Sequence, residues 1–222
     1  MDPIIDVHNL DLSVQGKQLF KNLTFKIPAN KLTCITGENG VGKTTLIKYL
    51  LSTFNHPDKC IKMNITRTET QYVPQLRNLD DEFPLDICDF VGLGLKKAVF
   101  PWHTAKERLL LQRILTETSL TDIQNRPLGA ASGGEKQRAF LAQALCAEPK
   151  LLILDESTAS LDKDSKYNLM DLIERLLQTR KITVLFITHD PDLITHYADY
   201  ELRLANQKGK LLGKDRSSHV TI

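Results

Sequence analysis

Residues 37–45, GENGVGKTT, fit the pattern G-x-x-x-x-G-K-[ST] at every fixed position, and no other stretch of the chain restricts its fold so strongly. Glycines let the backbone wind tightly enough for successive N–H groups to converge on phosphate oxygens. That convergence needs a helix start, where unpaired N–H groups and the helix dipole favour an anion. The flanks agree with this requirement. LTCIT at 32–36 is a strand-length apolar run, and beyond the loop Leu46, Ile47, Leu50, Leu51 and Phe54 recur at helical spacing. In such a strand–loop–helix unit Gly37, Glu38, Asn39, Gly40, Val41, Gly42 and Thr45 would surround the phosphates. Lys43 would reach the β- and γ-phosphates, and the Thr44 hydroxyl would ligate magnesium.

The same alternation returns further along. LLILD (151–155) and TVLFIT (183–188) lack the in–out pattern of a half-exposed sheet, so both faces should be covered, as in a parallel α/β sheet. Helices are expected at 134–147, 164–179 and 191–197. Residues 4–27 read as paired strands with a turn at QGK (15–17), and 200–213 as a closing hairpin. Between 76 and 130 strand signals are scarce and one helix, near 106–118, stands out. The 222 residues suffice for one domain, with residues 1–75 and 131–222 forming the core and an N-terminal antiparallel part, and 76–130 an inserted helical subdomain.

Two further segments carry chemistry. The run LLILDE places the Asp155 and Glu156 carboxylates at the carboxyl edge of the sheet, where α/β sheets bind ligands. Asp155 would hold magnesium directly or through water, and Glu156 would polarise an attacking water. In AASGGEKQRAFLAQAL (130–145) a serine and two glycines open a helix with Glu135 in its first turn. A helix start of this kind can hold an anion, and taken alone it is equally a plain serine N-cap.

Taken in order, GENGVGKT, Gln75 in YVPQ, ASGGE, LLILDE, Ser160-Leu161-Asp162 and His189 in ITHD make the chain resemble ATP-binding-cassette (ABC) ATPases over essentially its whole length. The resemblance implies an α/β P-loop NTPase fold with a mostly parallel central sheet, an antiparallel β-subdomain and an inserted helical subdomain. It implies ATP and Mg²⁺ as bound species, and an ATP-dependent homodimer in which two head-to-tail copies enclose two nucleotides. Ser132, Gly133, Gly134, Glu135 and Asp162 would then face the nucleotide held by the partner copy. Gln75 corresponds to the glutamine that contacts magnesium and water, and His189 to the histidine that contacts the γ-phosphate. Three positions depart from the family pattern: Ala131 where leucine is usual, Ser157 where proline often stands, and Val14 where an aromatic ring stacks on adenine.

The resemblance also narrows the role. One cassette, without fused membrane helices, coiled coils or long inserts, points to a separate subunit that docks on two transmembrane permease subunits and serves an extracytoplasmic substrate-binding protein indirectly. FPLDICDFVGLGL after Gln75 is similar to the corresponding segment of metal importers, with zinc or manganese as favoured cargo and an iron chelate behind. Leu79, Phe83, Leu85, Phe90 and Trp102 are the expected receivers of a permease helix. Alternatives are a soluble ABC-type ATPase acting on nucleic acid or the ribosome, and a nucleotide-binding regulator without catalysis. A net charge of +2 gives no electrostatic case for nucleic acid as partner. The start MDPIIDVH lacks a signal peptide's apolar core, and the longest apolar runs are strand-length. The expected location is therefore cytoplasmic, peripheral on the cytoplasmic face of the cell membrane. The four dispersed cysteines read as buried free thiols.

Overall fold

The structure, a computed structural model, describes residues 2–74, 83–95, 104–156 and 161–214. Strand β1 (Pro3–Val14) and strand β2 (Lys17–Pro28) form an antiparallel pair joined by the turn at Gln15–Gly16. Strand β3 (Leu32–Thr36) leads through the glycine loop into helix α1 (Lys43–Ser52). Short strand β4 (Ile61–Met63) pairs antiparallel with β1, giving a three-stranded sheet of order β2-β1-β4. Strand β5 (Thr70–Val73) follows, then helices α2 (Ile87–Gly92), α3 (Ala105–Glu117) and α4 (Gly133–Leu145). The rest alternates: β6 (Leu151–Asp155), α5 (Lys163–Arg180), β7 (Thr183–Ile187), α6 (Pro191–Tyr197), then the hairpin of β8 (Tyr200–Ala205) and β9 (Lys208–Gly213).

The second sheet has the order β5-β6-β7-β3-β8-β9 and is parallel except for β9. Its central strands are buried on both faces, which explains their unbroken apolar runs. Leu151, Ile153, Leu185 and Ile187 point into a core shared with α1 and the antiparallel sheet. Leu152, Leu154, Val184 and Phe186 point the other way, into a core shared with α2, α3, α4, α5 and α6. The period of 2 thus survives in the packing although the sequence shows no polar face.

Helices lie within a residue or two of expectation, with differences that have physical reasons. Helix α1 ends at Ser52, because Thr53 closes the last turn with its hydroxyl on the Leu50 carbonyl, so Phe54 lies beyond the helix. The closing hairpin is not an appendage: β8 is a full member of the parallel sheet beside β3. Strands β4 and β5 and helix α2 are too short to show a period of their own. Of the four cysteines, Cys34 and Cys146 are buried while Cys60 and Cys88 are only half-buried, which corrects the expectation for those two. Among the described residues no helix is long and apolar enough to cross a membrane.

Candidate active site

Carboxyl ends of β3, β6 and β7 lie side by side, so the loops that follow them share one edge of the sheet. The glycine loop is shaped by two positions that admit no side chain. Gly37 has φ +147°, and a Cβ there would lie 2.4 Å from the Leu204 carbonyl oxygen of β8. Gly42, the residue that caps α1, has φ +107° with the Phe20 and Leu19 side chains against it. Lys43 is buried, and its ammonium folds back over the loop to donate to the carbonyls of Gly37 (2.9 Å) and Glu38 (3.0 Å). Burial pushes it below the usual lysine range, against the pull of Glu156 and Asp155. Glu38, Asn39 and Gly40 are exposed along the crest, with Val41 and Thr45 half-buried beneath them.

Asp155 ends β6 with only 4% of its surface exposed and both carboxylate oxygens engaged. Oδ1 accepts from the Thr44 hydroxyl at 3.2 Å, and Oδ2 accepts from the Tyr72 phenol at 2.7 Å. A hydroxyl and a carboxylate oxygen this close are the hard oxygen donors that a magnesium ion takes. Thr44 and Asp155 therefore fit that ion, as their motifs implied. Glu156 follows in the left-handed region (φ +46°), a conformation that costs an L-residue roughly 1–2 kcal/mol. Its N–H donates to the Ile187 carbonyl at 3.1 Å, and its Oε1 lies 3.2 Å from His189 Nε2. The structure thus brings Lys43, Thr44, Asp155, Glu156 and His189 to one edge. Gln75, Ser157 and Ser160 lie outside the described residues.

Val14 is 41% exposed at the end of β1, opposite Lys17. Ser132 caps α4: its hydroxyl accepts from Glu135 N, and the Glu135 carboxylate accepts from Ser132 N at 2.7 Å. Arg126 Nη2 holds the same carboxylate at 2.6 Å. Burial raises the Glu135 carboxyl, but the Ser132 N–H and Arg126 outweigh it and the net shift is downward. Glu135 is thereby occupied in fixing the helix start. Ser132 and Gly133 are exposed, whereas Gly134 is buried, so that a Cβ would lie 3.0 Å from Ser165 Oγ. Asp162 is exposed at the start of α5, its carboxyl lowered by the bond to Ser165.

Sequence reasoning missed three supporting groups, Tyr72, Asp190 and Glu201. Tyr72 was visible in YVPQ but carried no assigned role. Asp190 caps α6 through the N–H groups of Asp192 and Leu193 and accepts from Lys166 Nζ at 3.2 Å, which fixes the loop bearing His189. Buried Glu201 accepts from Thr36, Arg203 and Lys214 directly below the glycine loop. Burial alone would raise its carboxyl, yet these three partners hold it down at about 2.

A groove of about 500 Å³ opens beside β5, lined by Tyr72, Val73, Pro74, Leu93, Phe140 and Gln143 among others. Of the expected permease-receiving residues, Phe90 is buried between Phe83 and Phe140, while Phe83 and Leu85 are half-buried on the same core. Leu79 and Trp102 lie outside the described residues. Exposed Leu93 and half-buried Phe140 line this groove, whereas Phe90 is not among its lining residues.

Residues 20–159 match the family model described as ABC transporter. The chain is 31% identical over 213 residues to the manganese transport system ATP-binding protein MntB of Halalkalibacterium halodurans, covering 92% of this chain and 84% of that protein. It is 29% identical over 214 residues to the zinc transport system ATP-binding protein AdcC of Streptococcus pneumoniae, covering 92% and 91%. Among solved structures it resembles cbiO1 from Clostridium perfringens, part of the ABC transporter complex cbiONQ. There the TM-score is 0.80 and identity 28%, over 96% of this chain and 89% of that one.

Proposed function

The chain belongs to the ABC transporter family, whose ATP-binding subunits hydrolyse ATP to power transport, and from that premise we propose that it drives a permease importing a transition metal, zinc or manganese. The observation that carries the catalytic part is the meeting of Lys43, Thr44, Asp155, Glu156 and His189 at the carboxyl edge of one parallel sheet. The metal cargo is supported by the manganese and zinc transport proteins to which the chain is similar.

In this reading the γ-phosphate replaces the Gly37 and Glu38 carbonyls as partner of the Lys43 ammonium, and the loop N–H groups bind the phosphate oxygens. Thr44, Asp155 and Gln75 would hold magnesium, which would supply charge neutralisation on the phosphates. Glu156 polarises the attacking water, and His189, released from Glu156 Oε1, donates to the γ-phosphate. Ser132 and the Gly133 and Gly134 N–H groups complete the nucleotide of a second copy, with Asp162 beside them. The exposure of Ser132, Gly133 and Asp162 supports this role, and the buttress of Arg126 on Glu135 keeps the helix start open. Val14 leaves adenine without an aromatic platform, so stacking contributes less to affinity than the roughly 1–3 kcal/mol an aromatic ring supplies. A short permease helix sits in the groove beside Tyr72 and Pro74, which places the subunit on the cytoplasmic face of the membrane.

Reconstitution of the chain with its permease and metal-binding protein in vesicles tests the proposal. ATP-dependent uptake of zinc or manganese is expected, with ATP turnover raised by the permease. Turnover indifferent to the permease, with a salt-sensitive response to RNA or DNA instead, would point to the soluble class.

A further inference from the structure

The Asp155 carboxylate has one oxygen facing Thr44 and the other held by a residue that no motif assigns. Tyr72 lies on β5, the edge strand, in parallel register with Ile153 of β6. Its ring packs on the core side that also holds Ile153, Leu151 and α1, so the side chain runs along the sheet towards the carboxyl edge. There its hydroxyl donates to Asp155 Oδ2 at 2.7 Å, while Thr44 approaches Oδ1 at 3.2 Å.

We propose that Tyr72 is a positioning residue of the magnesium site: its hydroxyl pins the rotation of the Asp155 carboxylate so that Oδ1 alone faces Thr44 and the cation. The proposal rests on the reading that this loop binds ATP with magnesium. A buried carboxylate with a free outer oxygen can turn about its terminal torsion, which is broad and two-fold. Donors to the far side of a ligating group remove that freedom, and losing one typically weakens metal binding or activity by about 10–100-fold. Tyr72→Phe removes the donor and keeps the ring, so packing against Ile153 and α1 is retained.

The test follows free Mn²⁺ by electron paramagnetic resonance while it is titrated into the full chain saturated with a non-hydrolysable ATP analogue. Binding of the analogue in EDTA and the melting temperature without metal are measured in parallel. Tyr72→Phe is expected to raise the Mn²⁺ Kd by about tenfold, with analogue affinity in EDTA unchanged and the melting temperature close to wild type. Equal Mn²⁺ affinity in the two proteins overturns the proposal alone. So does a loss of metal affinity matched by equal losses of metal-free nucleotide affinity and melting temperature, the pattern of a merely structural residue. A wild-type chain that takes up no Mn²⁺ with the analogue bound overturns the reading of the site itself, and this proposal with it.

Discussion

Glu201 offers the sharpest link between an ionisable group and stability. It is 4% exposed on β8, next to Thr36, the last residue before the glycine loop. Its carboxyl falls from an ordinary 4.5 to about 2. A shift of that size corresponds to about 3 kcal/mol, at about 1.4 kcal/mol per unit. Arg203 and Lys214 are 59% and 33% exposed, so both rehydrate when Glu201 is removed, and the figure is a ceiling. Glu201→Gln is therefore expected to destabilise the chain by about 2–3 kcal/mol at pH 7, or about 4–12 °C in Tm for a domain of this size. Because the folded carboxyl is the stronger acid, its contribution is complete above the unfolded value near 4.5 and fades as pH falls towards 2. At pH 3 less than half should remain. Urea unfolding of wild type and variant at pH 7 and pH 3.5, followed by circular dichroism, measures both the loss and its decline. A gap under about 0.5 kcal/mol at pH 7, or one that does not narrow in acid, would refute the idea that a buried, triply bonded carboxylate braces the loop.

Two substitutions address the chemistry directly. Glu156→Gln should slow ATP hydrolysis by about 10²–10⁴-fold while ATP still binds, and sedimentation with saturating ATP should show a dimer; a monomer there would refute the shared-site reading. Lys43→Ala removes the ammonium that now bonds Gly37 and Glu38, and calorimetry should show ATP binding weakened by about tenfold or more, since bonds to charged groups contribute about 1.5–3 kcal/mol. Unchanged affinity would contradict the role of the loop.

Most of the frame was legible because its signals are local. The strands β3, β6 and β7 are read from apolar runs that need two covered faces. The start of α4 is read from Ser132, which caps it. What escaped depends on partners distant in sequence. IKM and TQYV are strands only because β1 and β6 pair with them. Tyr72 acquires a role only through its register with Ile153, which carries its hydroxyl to a residue two places further along β6. In the sequence Glu201 reads only as a polar residue of the expected closing hairpin. It is buried because the hairpin wraps against β3 and brings Arg203 and Lys214 with it.

The site groups also share a pattern that bears on how the chain rests between turnovers. The Lys43 ammonium bonds to loop carbonyls, Thr44 bonds to Asp155, and His189 bonds to Glu156. Each pairing satisfies a polar group that would otherwise be costly to leave unmade in a partly enclosed site. In the proposed reading each would also be replaced by one ligand atom: a γ-phosphate oxygen for the carbonyls on Lys43, a cation between Thr44 and Asp155, a second phosphate oxygen on His189. Release of His189 would then leave Glu156 Oε1 open to accept from water. A phosphate that recruits His189 would thus also expose Glu156 Oε1 to water, so in this reading nucleotide contact and water polarisation are linked through this one bond.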